Sequence, residues 1–374
     1  MKIGILTYQR AENYGALLQA YALKTSLQQA GYAVEMVDYW PDYHKNHFRL
    51  FNKKTFGKFS FLGKIRYLLL FVFSIYWMIK RKRNFERFMR SKLKLGKKPK
   101  YSHQNHTCND FDVVIYGSDQ IWRKQSISIE NWFDDWYFAS KNIQSKAKIA
   151  YAASMGVLDV GNREKSYLEE SLKRFNEIAV REKDLDTLLL QLGFNSTLVV
   201  DPVFLLKQNV WKELIKKENS PSPNRKYILF YNLLNSQESE AFTKDLQIFS
   251  GFEVKEITKK LSFKKRGKRF IKSASIEEFL SLIHNAEFIV SNSFHGVALS
   301  IILQKDFYAV GFGEKSSRVI TLLDSVGLAN RFVNNGNTVD FKTKIDYATV
   351  EKKLDSVRIK SFSYLTNAIE KYND

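Results

Sequence analysis

The stretch that most constrains the fold runs from residue 286 to 303 and reads AEFIVSNSFHGVALSIIL. Its apolar run Phe288–Val290 is typical of a buried parallel strand. Three cap and turn formers follow, and from Val297 the apolar residues take helical spacing. The pattern predicts a strand that turns sharply into a helix, with His295 and Gly296 in the first helical turn.

A strand-to-helix turn of this kind is typical of an anion site, because unpaired N–H groups and the positive end of the helix dipole converge there. Ser293 lies at the turn, and Gly296 would let a ligand approach the backbone closely. His295 would hold a proton that titrates near neutral pH. A histidine that only caps a turn is the simpler interpretation, but ligands of open α/β sheets bind at the carboxyl ends of strands.

The rest of the chain alternates strand and helix patterns in two halves, and its 374 residues are too many for one core. We therefore predict an α/β protein of two Rossmann-like domains that face a cleft, with residues 1–218 and 226–374 joined by a linker at 219–225. The first half lacks the glycine fingerprint of dinucleotide-binding folds. A closing helix is predicted at 350–372, within the second domain.

Several polar or aromatic residues come directly after predicted strands of the first half. Asn13 caps the first predicted helix, and Gly15 behind it could admit a phosphate or a sugar. Asp119 follows the strand at 112–116, and Trp122 offers a flat apolar face to a sugar ring. The simpler alternatives are that Asn13 is only a cap and that Trp122 packs in the core.

Two arginines are candidates for holding an anion. Arg181 follows the strand at 178–181, where a guanidinium can grip a carboxylate or phosphate with two parallel bonds. Arg318 opens a helix after the strand at 307–312 and could point at the predicted anion site. A surface salt bridge for Arg181 and a solvated helix start for Arg318 are the alternatives.

The net charge of +20 is concentrated in one segment. Residues 43–100 contain 18 Lys and Arg against the single acidic Glu86, and they include Tyr67–Ile79, thirteen residues without a charge. A helix of that length spans ~20 Å, short of a hydrocarbon core of ~30 Å. The insert is therefore predicted to lie on an anionic membrane surface. A buried helix with solvated flanks is the alternative; no nucleic-acid motif accompanies the charge, so no nucleic acid is expected.

The remaining composition indicates a cytoplasmic protein without a metal. The chain has one cysteine, Cys108, and no visible signal peptide. No Cys/His cluster has zinc spacing, and no phosphate-binding Walker loop is present. The His44/His47 and His103/His106 pairs lack acidic partners, so they are expected to be surface residues.

Five short motifs are spread along the chain. They are ENYGALLQAYAL at 12–23, GSDQIW at 117–122, VRE at 180–182, DP at 201–202 and SNSFHG at 291–296. Taken in this order and at this spacing, they cover roughly residues 1–330 and resemble the polysaccharide pyruvyl transferase family.

The resemblance implies a GT-B-like fold and the transfer of pyruvate from phosphoenolpyruvate, as a cyclic ketal, onto a sugar of a lipid-linked polysaccharide repeat unit. Galactose is the expected sugar, phosphoenolpyruvate is a co-substrate, and no cofactor is expected. The repeat units of capsules and exopolysaccharides are built at the inner face of the cell membrane, so the enzyme is expected to be peripheral there.

The resemblance also assigns roles to residues. His295 matches the catalytic histidine of the family, and Arg181 matches an arginine that holds the donor. Asp119 is the candidate base, while Asn13, Tyr14 and Gly15 would line the acceptor wall. Many members carry Arg-Leu-His where this chain has Ser-Phe-His at 293–295. We expect Lys315 or Arg318 to supply the missing positive charge.

Two other functions remain open from the sequence. One is a glycosyltransferase of the same shape with a nucleotide-sugar donor, which would need an acidic or aromatic nucleotide clamp in the second half. The other is a non-catalytic module that binds acidic lipid or polymer through residues 43–100.

Overall fold

The computed structural model describes residues 1–51, 56–103, 105–125, 131–215, 225–259, 265, 267–334 and 339–373. Within these residues, twelve strands form two parallel six-stranded sheets, one in each half of the chain. The first half contains β1 (Lys2–Leu6), β2 (Ala33–Met36), β3 (Val113–Tyr116), β4 (Ala147–Ala153), β5 (Glu177–Val180) and β6 (Thr197–Leu198). The second contains β7 (Tyr227–Tyr231), β8 (Glu253–Ile257), β9 (Phe270–Ile271), β10 (Phe288–Ser291), β11 (Asp306–Val310) and β12 (Phe332–Val333). The prediction of two Rossmann-like sheets is confirmed.

Helices cover the faces of both sheets, as parallel strands require. In the first half they are α1 (Tyr14–Gln29), α2 (Asp42–His47), α3 (Phe61–Ser91), α4 (Asn162–Leu172), α5 (Lys183–Gln191) and α6 (Gln208–Leu214). In the second they are α7 (Gln237–Ser250), α8 (Ile276–Asn285), α9 (Phe294–Ile302), α10 (Ser317–Val326) and α11 (Tyr347–Glu370). Short 3-10 turns occupy Asp135–Tyr137, Pro202–Leu205, Gly313–Lys315 and Ala329–Arg331.

Strand order places one crevice in each sheet. The orders are β2-β1-β3-β4-β5-β6 and β12-β11-β10-β7-β8-β9. The chain reverses direction across the first sheet between β1 and β3, and across the second between β7 and β10. Ligands of open α/β sheets bind beyond the carboxyl ends of such strand pairs. The loops after β1, β3, β7 and β10 are therefore where a site is expected.

The strand-to-helix turn predicted at 286–303 is present, as β10 followed by α9. Ser293 caps α9, and its hydroxyl accepts a hydrogen bond from the Gly296 N–H at 3.4 Å. His295 and Gly296 lie in the first turn, as predicted. The whole of α9 is buried, because both of its faces pack on other elements.

The basic insert differs from the prediction. The uncharged run at 67–79 is only part of α3, which has 31 residues and is about 46 Å long. Nine of its large apolar residues before position 78 are from 40% to 77% exposed, namely Phe61, Leu62, Ile65, Leu68, Leu69, Val72, Phe73, Tyr76 and Trp77. By length and composition alone, α3 could cross a membrane, and 6% of its most apolar window is buried.

The second part of α3 packs on the body of the protein. Phe85 and Phe88 are buried, and the Asn84 amide donates to the Ser273 carbonyl at 2.9 Å. Arg81 donates to the Tyr14 hydroxyl at 3.1 Å and to the Glu12 carbonyl at 3.2 Å. The helix is therefore fixed at one end and projects its apolar half.

The final helix returns to the first half of the chain, although the sequence placed it in the second domain. Arg358 Nε donates to the Phe204 carbonyl at 2.6 Å, and the Val200 N–H donates to the Ser361 hydroxyl at 3.0 Å. The predicted linker at 219–225 lies outside the described residues except for Arg225. The domain boundaries remain predictions.

Candidate active site

A cleft of about 490 Å³ lies between the two sheets, at the carboxyl ends of their central strands. Its first wall contains Asn13 and Asp119, which follow β1 and β3. Its second wall contains Leu233 and Ser293, which follow β7 and β10. The cleft is thus the place where both strand-order reversals meet.

His295 brings the second domain into contact with a carboxylate of the first. Its Nε2 atom lies 3.5 Å from Oδ2 of Asp201, and 9% of its side chain is exposed. Nε2 has no hydrogen-bond partner among the described residues. The imidazole lines the cleft, and the buried carboxylate behind it can orient the ring.

Asp201 is completely buried and joins four groups. One carboxylate oxygen pairs with Arg181, accepts from the Ser118 hydroxyl at 3.0 Å and faces His295. The other accepts from the Val203 N–H at 3.1 Å. Burial works to raise the pKa of Asp201, but the neighbouring imidazole and guanidinium outweigh burial and hold that pKa well below its ordinary value.

Positive charge predominates along the cleft. Its charged lining residues are the basic Arg123, Lys259, Lys315 and Arg318 and the acidic Glu12 and Asp119. An anionic ligand is therefore favoured over a cationic one.

Arg318 is the buried member of this set. Its guanidinium lies 5.8 Å from the ring centre of Phe294, and the Gln120 amide oxygen, placed by hydrogen bonding, accepts from it at 2.6 and 3.0 Å. Burial, reinforced by repulsion from Arg181, lowers the pKa of Arg318 to about 10, so it stays charged near neutral pH. Arg318 and Ser293 both line the cleft.

Asp119 and Asn13 lie in the cleft wall, as predicted. Asp119 has a positive φ of 72°, a conformation that Asp tolerates better than most residues. One of its carboxylate oxygens accepts from the Gln120 N–H at 2.8 Å and lies 3.7 Å from Arg181. Asn13 also caps α1, because its side-chain oxygen accepts from the Ala16 N–H at 3.2 Å.

Arg181 does not line the cleft, so its predicted direct grip on the donor was wrong. Its side chain is 1% exposed and pairs with Asp201, with Asp119 and Glu182 each 3.7 Å away. The guanidinium also lies 4.7 Å from the Phe294 ring centre. Arg181 therefore supports Asp201 from behind the site.

Two predicted acceptor contacts are core residues instead. Trp122 is 0% exposed, donates to the Tyr137 carbonyl at 2.9 Å and stacks on Phe138. Tyr14 is buried against Phe279, with ring centres 4.2 Å apart, and donates to the Ala274 carbonyl. Trp122 stabilises the first domain, whereas Tyr14 joins the two domains.

The two predicted glycines serve packing rather than ligand access. A Cβ on Gly15 would lie 2.1 Å from Nδ1 of His295, so the absence of a side chain lets the imidazole rest on α1. A Cβ on Gly296 would lie 2.4 Å from the Ser291 hydroxyl. Gly296 therefore lets α9 approach β10 closely.

Sequence reasoning missed several residues of the cleft. His44 and His47, predicted to be surface residues, line it, as do Tyr8 and Arg123. Burial lowers the pKa of His44 to about 3, so its imidazole is neutral near pH 7. The spacing of a loop histidine pair does not show which strand ends it will face, so the sequence held no signal for this placement. Among the described residues, no group of three or more His, Cys, Asp or Glu side chains is arranged to hold a metal ion.

Solved structures with a similar fold are sugar-nucleotide enzymes and glycosyltransferases. UDP-GlcNAc 2-epimerase from Neisseria meningitidis has a TM-score of 0.51 at 12% identity, covering 100% of this chain and 93% of that chain. The corresponding enzyme from Methanocaldococcus jannaschii has a TM-score of 0.48 at 13% identity, covering 96% and 93%. The heptosyltransferase WaaC of E. coli has a TM-score of 0.38 at 13% identity, covering 83% and 88%. At 12% identity, the likeness to the Neisseria meningitidis enzyme shows the GT-B-like fold alone.

No curated protein matches the chain. A family model does: polysaccharide pyruvyl transferase matches residues 13–313, which include Asp119, Asp201 and His295. This match covers well over half of the 374 residues. The chain belongs to the polysaccharide pyruvyl transferase family.

Proposed function

We propose that the cleft binds phosphoenolpyruvate and that the enzyme transfers its three-carbon unit, as a pyruvate ketal, onto two hydroxyls of a sugar. The acceptor is a polysaccharide repeat unit on a lipid carrier, with galactose as the expected sugar. One observation carries the proposal: the His295 imidazole, backed by the buried Asp201, lines a cleft whose charged residues are mostly basic. Phosphoenolpyruvate is a small, densely charged anion that suits such a cleft.

The reaction balances without a cofactor. A proton is added to the methylene carbon of phosphoenolpyruvate, and a sugar hydroxyl attacks the resulting cation at the neighbouring carbon. The carbon–oxygen bond to phosphate then breaks, and a second hydroxyl attacks the same carbon. The two hydroxyls lose two protons, of which one becomes part of the new methyl group and the other leaves with the phosphate.

Each side chain of the cleft has a role in this scheme. His295 is the general acid, toward the methylene carbon or toward the departing phosphate, and Asp201 orients its ring. Asp119 is the base for an acceptor hydroxyl, and Asn13 lines the acceptor side. The donor's charges are met by Arg318 and Lys315 and by the first turn of α9, which Ser293 caps.

A membrane-surface location also belongs to the proposal. The exposed apolar half of α3 lies beside a run of basic residues, a combination that favours anionic lipid. Phe51, which precedes α3 in the chain, packs against Tyr67 and Phe71 on that helix. The uncharged run of α3 has thirteen residues and spans ~20 Å, which is short of a hydrocarbon core of ~30 Å. Contact with one face of the bilayer is therefore preferred over spanning.

Substitution of the histidine tests the proposed chemistry. The protein is incubated with phosphoenolpyruvate and a panel of lipid-linked or synthetic galactosides, and mass spectrometry follows the gain of one pyruvic acid less one water. We expect His295→Ala to lower turnover ~10²-fold or more, since a general acid typically contributes that much. The control is His284→Ala, because His284 lies at the end of α8 and outside the cleft. Turnover of His295→Ala within about threefold of wild type would remove His295 from the mechanism.

The nucleotide-sugar alternative is separated by calorimetry. We expect phosphoenolpyruvate to bind and UDP-sugars not to bind, and Arg318→Gln to weaken phosphoenolpyruvate by about tenfold through loss of a charge-assisted contact. Binding of a UDP-sugar with no binding of phosphoenolpyruvate would instead favour a glycosyltransferase.

A further inference from the structure

A second cavity, of about 640 Å³, lies between the exposed half of α3 and the second domain. Phe73 and Trp77 of α3 form one wall, and Phe270, Ile271 and Leu282 form the other. Its size is within the range of small-molecule sites. We call this cavity the α3 groove.

Basic side chains stand over the apolar walls of the α3 groove. Lys80 and Lys272 line it and outnumber the acidic lining residue Glu278, whose carboxylate accepts from the Ser275 N–H at 2.6 Å. The lining therefore combines a hydrocarbon-like surface with positive charge. A ligand that matches both is an amphiphile with an anionic head.

The groove is continuous with the surface proposed to contact the membrane. Phe73 and Trp77 line it and are also 64% and 40% exposed, as part of the apolar half of α3. A hydrocarbon chain leaving a bilayer at α3 would reach the groove without crossing a polar surface.

The groove also adjoins the candidate active site. Arg81, next to Lys80, donates to the carbonyl of Glu12, which lines the cleft, and to the hydroxyl of Tyr14. That hydroxyl in turn donates to the carbonyl of Ala274, which lines the groove. Three hydrogen bonds through Arg81 and Tyr14 thus connect the lining of the groove with the lining of the cleft.

We infer that the α3 groove binds the lipid phosphate portion of the acceptor, with one hydrocarbon chain on the aromatic walls and the phosphate at Lys80 and Lys272. This rests on the proposed function for the identity of the acceptor. Binding of the lipid phosphate itself does not require turnover.

Farnesyl phosphate, below its micelle concentration, is the probe for direct binding to the full-length protein. We expect wild type to bind it at least about tenfold more tightly than farnesol, which lacks the phosphate, or inorganic phosphate, which lacks the hydrocarbon chain. Lys272→Glu should weaken the probe by about tenfold or more, whereas Lys272→Arg should stay within about threefold. Equal binding by wild type and Lys272→Glu would overturn the inference.

Control variants locate the probe. Lys244→Glu makes the same charge change at an exposed site on α7 and should leave binding unchanged. Lys315→Glu alters the cleft and should also leave binding of farnesyl phosphate unchanged. If Lys315→Glu abolished that binding and Lys272→Glu did not, the probe would be in the active site and the groove would be refuted. Lys272→Glu should still bind phosphatidylglycerol vesicles, and a parallel loss would show a bilayer surface rather than a lipid site.

Kinetics separate this inference from the proposed function. Lys272→Glu should raise KM for a lipid-linked acceptor and leave turnover of a soluble sugar acceptor unchanged. Pyruvyl transfer without probe binding would refute the groove alone. Probe binding without pyruvyl transfer would refute the proposed function alone.

Discussion

Asp201 is the residue at which the charges of the two domains meet. It follows β6 in the first domain, pairs with Arg181 behind the site and faces His295 of the second domain. A buried carboxylate with this many partners is stable only as the anion, which agrees with its depressed pKa. The orientation of the imidazole that we assign to catalysis therefore also depends on the groups that hold Asp201 in place, such as Arg181.

Asp201→Asn tests that network. The substitution leaves the buried Arg181 without its main partner, so we expect the free energy of unfolding at pH 7 to fall by about 3 kcal/mol. Because the pKa of Asp201 is lower folded than unfolded, its stabilisation is present above the unfolded value of about 3.9 and is lost as pH falls below it. The free energies of unfolding of wild type and Asp201→Asn, measured by urea denaturation, should therefore differ less at pH 3.5 than at pH 7.

The control for Asp201 is Asp245→Asn on the exposed surface of α7. It should change the free energy of unfolding little at either pH. A difference between wild type and Asp201→Asn that is absent, or that is the same at both pH values, would contradict the network.

At the residue scale, the sequence predicts the position of a side chain where that position is determined by the neighbouring residues in the chain. The change from strand to helix spacing around Ser293 predicted where His295 lies, because both elements are local. Trp122 and Arg181 were misplaced because a strand end does not reveal which way a side chain turns. The part played by Asp201 depends on a partner 94 positions away, which no local pattern encodes.

At the element scale, α3 is the feature that departs most from expectation. The uncharged run at 67–79 predicts a helix of that length with basic residues at both ends. Lys and Arg are good helix formers, so the helix continues through them from Phe61 to Ser91. The charge pattern correctly predicted where the basic surface lies, but the basic residues do not mark the ends of the helix.

Vesicle sedimentation tests the apolar half of α3. We expect a triple variant, Leu62→Ser, Val72→Ser and Phe73→Ser, to lose most binding to phosphatidylglycerol vesicles, because burial of apolar side chains drives interfacial binding. Its thermal midpoint should stay close to that of wild type, since these side chains are exposed in the protein.

The matched control for the α3 variant is Leu190→Ser, Ile248→Ser and Ile359→Ser, three similarly exposed apolar residues on other helices. This variant should sediment with vesicles as wild type does. If the α3 triple variant sedimented with vesicles as fully as wild type does, α3 would be excluded as the membrane contact.

At the scale of the whole molecule, the chain crosses between the domains twice. It passes from the first sheet to the second between positions 215 and 225, and α11 brings it back to the first domain. The sequence assigned α11 by its order along the chain, and only the contacts of Arg358 and Ser361 show where it packs. The buried core likewise continues from α1 to α8, so the domains are expected to unfold together.

Arg358→Ala tests this coupling. All six tryptophans lie before position 219, so tryptophan fluorescence reports on the first domain. Loss of the Arg358 bond to the Phe204 carbonyl should lower stability by about 1–3 kcal/mol. We expect the fluorescence midpoint in urea to fall together with the far-ultraviolet circular dichroism midpoint.

Lys352→Ala, an exposed position on the same helix, is the control and should leave both midpoints unchanged. A circular dichroism midpoint that falls while the fluorescence midpoint does not would show that α11 stabilises only the second domain.

The double crossing has a further consequence for how substrates enter. A single tether would let one domain swivel freely, whereas two covalent crossings leave bending about the line between them as the easy motion. We expect the rim opposite that line to part when the proposed acceptor enters, and His295 to return to the same alignment with Asp201 when the cleft closes. In the proposed mechanism, the motion that admits the acceptor would then also bring the general acid and its buried carboxylate together.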